Sequence, residues 1–232
     1  MNVGREKGRA VTDIIVRQKP TTLLEIGGYV GFSAILFGNV LRKVGGKYLS
    51  LELNPTFAHV ARELIALAGL EKTVEIIEGP CRESLRKIKQ QEKDGAAFDV
   101  IFIDHAKVLY LNELKLCEEL GFVAPGTTVI ADDIVQSNNV EYSAYVRESP
   151  AQKKQRSEEE KANTEGDVSL GNPNLIYETS LFCGREPTGG DVRRVFAVYS
   201  GMHLLTFLLD RTEWRFLGAK DWRHSGLDSI CD

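Results

Sequence analysis

Between Thr22 and Arg147 the chain repeats one unit: a β-rich run of four to six residues, then a stretch of helical character. The runs are Leu23–Ile26 (LLEI), Tyr48–Leu53 (YLSLEL), Val74–Glu78 (VEIIE), Asp99–Ile103 (DVIFI) and Thr127–Ala131 (TTVIA). Val100 to Ile103 is apolar at every position, and a strand of that kind has to be covered on both faces. Such strands, alternating with helices, predict an α/β fold with a doubly wound, mostly parallel sheet and helices on both sides. The punctuation agrees. Gly45-Gly46 closes the first helix, and Gly69 suits a C-cap. Asn54 caps the next helix with Pro55 in its first turn, where a missing N–H costs nothing. Further on, NLIYETSLF and VRRVFAVYSG are joined by CGREPTGGD and read as an antiparallel pair that completes a seven-stranded sheet.

Two segments break the rhythm. Residues 148–172 carry nine charges between Lys153 and Asp167 and almost no apolar side chains, which predicts a solvated loop. The tail from Met202 to Asp232 alternates aromatic and basic residues without a period and receives no assignment. The expected organisation is one domain over residues 1–232, a length that suits one sizeable core.

A formal net charge of −4 leaves no electrostatic footprint for nucleic acid. No apolar stretch approaches the roughly 20 residues that span a bilayer, and the opening MNVGREKGRA has no apolar core of a signal peptide. Neither a nucleic-acid nor a membrane partner is therefore expected. The four cysteines (Cys81, Cys117, Cys183, Cys231) form no C-x-x-C and no zinc spacing with the four histidines. They read as reduced thiols of a cytoplasmic protein, with a monomer as the expected state.

In parallel sheets of this kind ligands bind outside the carboxyl ends of the strands, which puts Glu25, Gly27, Glu52, Gly79, Asp104 and Asp132 along one rim. EIGGYVGFSA (Glu25–Ala34) is a strand end, a glycine turn and a helix start. Its spacing, Gly27, Gly28, Gly31, departs from G-x-G-x-x-G, and Glu25 would repel a pyrophosphate but not a cationic sulfonium ligand with an ammonium group. Glu52, at the end of the second strand, suits the two ribose hydroxyls of an adenosine. Together these features favour S-adenosylmethionine over NAD. FDVIFIDHAK ends a strand in Asp104, His105 and Lys107, and TVIADDIV ends the next in Asp132 and Asp133. Three oxygen-donor acids with no cysteine beside them suit a hard cation, Mg²⁺ before zinc. A lysine amine beside such a cation loses its proton more readily, which makes Lys107 a candidate general base. Glu178 sits in an otherwise apolar strand, where an inward acid is costly unless it binds something; an edge strand with Glu178 facing outward is the alternative.

MNVGREKG, LLEIGGYVGFSA, LELNP, ALAGL, FIDHAK, VIADDIV and YSAYVR, in this order, resemble the motifs of the catechol O-methyltransferase family over residues 1 to about 147, and IYETS and VFAVYSG extend the likeness. The resemblance implies a class I methyltransferase that moves a methyl group from S-adenosylmethionine to a hydroxyl of a catechol-type diphenol with Mg²⁺ bound. By position it implies that Val3, Gly27, Tyr29 and Ser33 hold the methionine part of the cofactor. Glu52 would hold the ribose, while Gly79, Cys81, Arg82 and His105 would contact the adenosine. Asp104, Asp132 and Asp133 match the metal ligands, Lys107 the base, and Glu178 the acid that grips the second hydroxyl.

Some positions depart from the family. Helices that precede MNVG there have no counterpart in this sequence, so a less covered site is expected. Asp133 stands where the animal enzymes have asparagine, adding a negative charge. Ala106 replaces a tryptophan near the adenine. Ser137 and its QSNN neighbours replace an apolar gate, which predicts a different substrate preference. Three other functions remain open: an enzyme for another vicinal-diol phenolic, an inactive cofactor-binding homologue and, least favoured by the glycine spacing, an NAD-dependent oxidoreductase.

Overall fold

The computed structural model describes residues 3–91, 97–134, 139–163, 168–185, 193–201 and 217–218, with the backbone alone from residue 181 onward. The Ser137 expectation, and those for the tail other than Leu217–Gly218, lie outside the described residues. The strands are β1 (Thr22–Ile26), β2 (Lys47–Glu52), β3 (Val74–Glu78), β4 (Val100–Ile103), β5 (Thr128–Ala131), β6 (Tyr177–Arg185), β7 (Arg193–Gly201) and β8 (Leu217–Gly218). They form one sheet in the order β3-β2-β1-β4-β5-β7-β6-β8. The first five are parallel, while β7 runs antiparallel to both β5 and β6. The expected seven strands are thus present, and a two-residue β8 adds to the edge beside β6.

Adjacent side chains of each central strand go to opposite faces, so every strand feeds two cores. Leu23, Tyr48, Val100, Phe102 and Ile130 pack with Val11 and Ile15 of α1 (Arg5–Gln18), Phe37 of α2 (Phe32–Leu41) and Ala61 of α3 (Pro55–Leu67). Leu24, Leu51, Ile101, Ile103 and Val129 pack on the other side with Leu85 of α4 (Cys81–Gln91), Leu114 of α5 (Tyr110–Glu119) and Tyr142 of α6 (Val140–Tyr145). The start of α3 is capped as the sequence predicts, with the Asn54 side chain accepting from the Thr56 and Phe57 amides. Among the described residues no helix is long and apolar enough to cross a membrane.

Residues 150–163 of the charged segment are not a loop. Residues Pro150–Asn163 form a helix, α7. Its start carries a capping box: Ser149 accepts from the Gln152 amide at 3.4 Å, and the Gln152 side chain accepts from the Ser149 amide at 2.9 Å. Polar contacts hold it where an apolar stripe would be expected. Lys153 is fully buried, donates to the Leu175 carbonyl at 2.9 Å and lies 4.4 and 4.5 Å from the ring centroids of Tyr145 and Tyr177. Lys115 of α5 holds Glu160 at 2.6 Å, and Arg156 holds Glu148 at 3.0 Å.

Candidate active site

The carboxyl ends of β1 to β4 open into a cavity of about 730 Å³, within the roughly 300–1,000 Å³ range of small-molecule sites. Its first wall is the turn after β1. Gly27 has φ 101°, and a Cβ there would stand 2.6 Å from the carbonyl oxygen of Asp104, so only glycine lets β1 and β4 end this close together. Gly31 (φ 85°) lies against Ala61 of α3 for the same reason. Val3, buried at the approach to α1, also lines the cavity. Between the glycines Tyr29 takes a left-handed backbone (φ 47°) and packs edge-on against Phe57, 4.7 Å between centroids.

The Tyr29 turn is tied to Glu52. The Glu52 carboxylate closes β2, lines the cavity and accepts from the amides of Tyr29 at 2.7 Å and Asn54 at 2.8 Å. Two backbone donors fix the carboxylate, and each oxygen keeps a second lone pair for a ligand hydroxyl. Gly79 (φ 132°), Cys81 and Arg82 form the far wall, where α4 begins. Arg82 donates to Ser169 at 3.2 Å, and burial pushes the Cys81 thiol far above its usual range. His105 stacks on Tyr110 with 5.2 Å between ring centroids. Both its ring nitrogens are buried without a hydrogen-bond partner among the described residues. Burial, and then the Lys107 charge, push its pKa down to about 4, so a neutral imidazole faces the cavity.

Glu25 does not reach that cavity. It is wholly buried behind the wall, accepting from Ser33 on one oxygen and from Ser50 at 2.5 Å on the other. A residue on β1 beside the glycine turn reads as a rim acid, but the pleat turns it into the sheet face. Its hydrogen-bond partner Ser33 does line the cavity. Burial, with Asp104 as a smaller contributor, pushes the Glu25 carboxyl up to about 7.

At the other end of the cavity β4 and β5 finish side by side, Ile103 in register with Ala131, so Asp104 and Asp132 emerge together. Burial and the neighbouring Asp132 push Asp104 up to about 6, against the opposing pull of Lys107 and Lys7. The Lys107 amine donates to Asp104 at 3.1 Å, to the Tyr110 hydroxyl at 2.6 Å and to the Asp132 carbonyl at 3.2 Å. Asp132 is buried and forms an ion pair with Lys7 of α1, itself only 2% exposed. Asp133 follows in a left-handed conformation (φ 54°). The chemistry of these acids suits Mg²⁺, but their arrangement does not. Two ammonium groups already neutralise Asp104 and Asp132, and among the described residues no three His, Cys, Asp or Glu side chains gather closely enough to hold a metal.

Glu178 is not brought to this place. It pairs with Ser200 of β7, which pairs with Thr128 at the start of β5, so Glu178 lies at the opposite end of the strand from Asp132. It is exposed and does not line the cavity. The level of Ala131 falls at Leu181 instead, because β6 runs nine residues. Conversely, sequence reasoning passed over Lys7, and also Glu113 of α5. The latter lines the cavity at 2% exposure and carries a carboxylate oxygen with no hydrogen-bond partner among the described residues. Its acid at the fourth helical position of α5 looks like a solvated first-turn glutamate.

Residues 1–163 match the model of a family described as O-methyltransferase. A catechol O-methyltransferase B of Danio rerio is 36% identical over 154 residues, which cover 66% of this chain and 57% of the relative, so this chain spans little more than half of that protein. The catechol O-methyltransferase of Sus scrofa is 34% identical over 147 residues, covering 63% of this chain and 78% of the relative. The crystal structure of an O-methyltransferase from Bacillus cereus, solved as a complex with SAH, superposes with a TM-score of 0.66 at 21% identity, over 87% of this chain and 83% of that one.

Proposed function

Because this chain belongs to the O-methyltransferase family, in its catechol O-methyltransferase group, we propose that it transfers the methyl group of S-adenosylmethionine to a hydroxyl of a small phenolic acceptor. One observation carries the reading: a single cavity joins the fixed Glu52 carboxylate and the Gly27 turn at one end to the Asp104–Lys107 pair at the other. An adenosine with its ribose on Glu52 and its base beside His105 directs its sulfonium toward Lys107.

The acceptor oxygen then attacks the methyl carbon in line with the carbon–sulfur bond. The new C–O bond forms as the C–S bond breaks, and the bonding pair stays on sulfur, which leaves as a neutral thioether. The phenolic proton passes to the nitrogen of Lys107, which must first hold that nitrogen unprotonated. The Tyr110 hydroxyl and the Asp132 carbonyl fix the amine for the transfer, and holding oxygen and methyl together supplies much of the rate.

A catechol acceptor and a need for Mg²⁺ are the narrower forms of this proposal. The names of the curated relatives favour catechol. The acids at the ends of β4 and β5 pair with Lys7 and Lys107. The test is a split between binding and turnover. Lys107→Ala is expected to lose about 10²–10⁴-fold in kcat while S-adenosylhomocysteine affinity stays within a few fold. Retained turnover would remove Lys107 from the reaction.

A further inference from the structure

Glu113 belongs to the first turn of α5 and lines the cavity at 2% exposure. It stands beside the start of α4. Burial pushes its carboxyl up, while a hydrogen bond from the Cys81 thiol and the charges of Arg82 and Arg86 pull it down. Its Oε2 has no hydrogen-bond partner among the described residues. An acceptor buried without a donor is costly to a fold, and neither the hold on the ribose nor the methyl transfer uses this one.

The place of this oxygen points to its donor. In the methyl-transfer reading the ribose sits on Glu52, and the base runs past His105 toward the wall formed by the starts of α4 and α5. Leu109, the residue before α5, gives that wall an apolar surface, and Glu113 follows one helical turn later. Residues four apart share a helix face. An adenine carries one donor on its exposed edge, the 6-amino group, and its free ring nitrogens only accept. Ionised or not, a carboxyl group keeps an acceptor oxygen, and the soft terminal torsion of a glutamate lets that oxygen turn to an amine. A 6-oxo base would instead set oxygen lone pairs against oxygen lone pairs.

We propose that Glu113 accepts a hydrogen bond from the 6-amino group of the cofactor's adenine and so sets the preference of this cavity for an adenosine over a 6-oxo nucleoside. Glu113 is a specificity residue, remote from the reacting atoms. The proposal rests on the methyl-transfer reading for the place of the ribose, and its test needs no methyl transfer.

The experiment is calorimetry on the full chain with two probes, S-adenosylhomocysteine and S-inosylhomocysteine, which carry an amine and an oxo group at the 6-position of the base. The wild type is expected to bind the first about 10–10²-fold more tightly. Glu113→Gln keeps the shape and an acceptor and adds an amide donor, which suits a 6-oxo group. This variant is expected to bind S-inosylhomocysteine about tenfold more tightly than the wild type does, with S-adenosylhomocysteine affinity changed by no more than a few fold. Misfolding cannot produce such a gain. Glu113→Ala should bring the two affinities within a few fold of each other, chiefly by weakening the adenosine probe. If Glu113 serves only as a partner of Arg82 and Arg86, both probes weaken together in the variants and their ratio keeps its wild-type value, which overturns the proposal. Equal binding of the two probes by the wild type overturns it as well. Either result leaves the methyl-transfer reading intact, because S-adenosylhomocysteine still binds. A wild type that binds neither probe removes that reading and the role of Glu113 together.

Discussion

Glu25 stores a measurable cost in the folded state. Its carboxyl moves from an ordinary value of 4.5 up to about 7, chiefly because burial penalises the charged form. A folded value above the unfolded one means that folding favours the protonated acid. The contribution is fully present below the unfolded value and is lost as pH rises through about 7. At 1.36 kcal/mol for each tenfold in proton affinity, ionising Glu25 costs the fold about 3 kcal/mol above pH 7. Glu25→Gln keeps the shape and the serine hydrogen bonds but cannot ionise. Urea unfolding of both proteins across this range should show near-equal stability around pH 4.5. The variant should gain steadily and end about 3 kcal/mol more stable at pH 8. A difference between the two that does not change with pH would refute the reasoning, because a carboxylate already stable when charged gives no slope.

Three further outcomes follow from the same geometry. Lys153→Met should destabilise the chain by about 3–5 kcal/mol in urea unfolding, since it leaves Glu118 buried among Tyr145, Tyr177 and the Asn172 amide without its nearby cation. Gly27→Ala should cost about 1–3 kcal/mol from the positive φ alone and more from the 2.6 Å approach to Asp104, read as a lowered melting temperature together with lost cofactor binding. Glu52→Ala should weaken S-adenosylhomocysteine about tenfold or more by calorimetry, because it removes the charged acceptor and frees the Tyr29 turn.

The central sheet was legible because each strand is short, apolar and closed by a helix signal, as with Asn54–Pro55 before α3. The rim residues Gly27, Glu52, Asp104 and Lys107 followed from where such strands must end. Polar packing hid α7. Its buried anchor is Lys153, so the hydrophobic period is missing, and only the Ser149–Gln152 capping box announces a helix. Register hid the displacement of Glu178, since nothing in IYETS states how many residues β6 runs before it reaches the level of Ala131. Long range hid Lys7, whose partner lies 125 residues away. The pleat hid the inward turn of Glu25, an alternation legible only once the neighbouring strands are known.

The most direct test of the central claim is transfer of labelled methyl from S-adenosylmethionine to catechol by the full chain, followed as methylated product and run beside Lys107→Ala. The account predicts O-methylated catechol from the wild type and a loss of about 10²–10⁴-fold in the variant. S-adenosylhomocysteine bound by calorimetry with no product from catechol or any other phenol would contradict it, and would make the cavity a cofactor-binding site without chemistry.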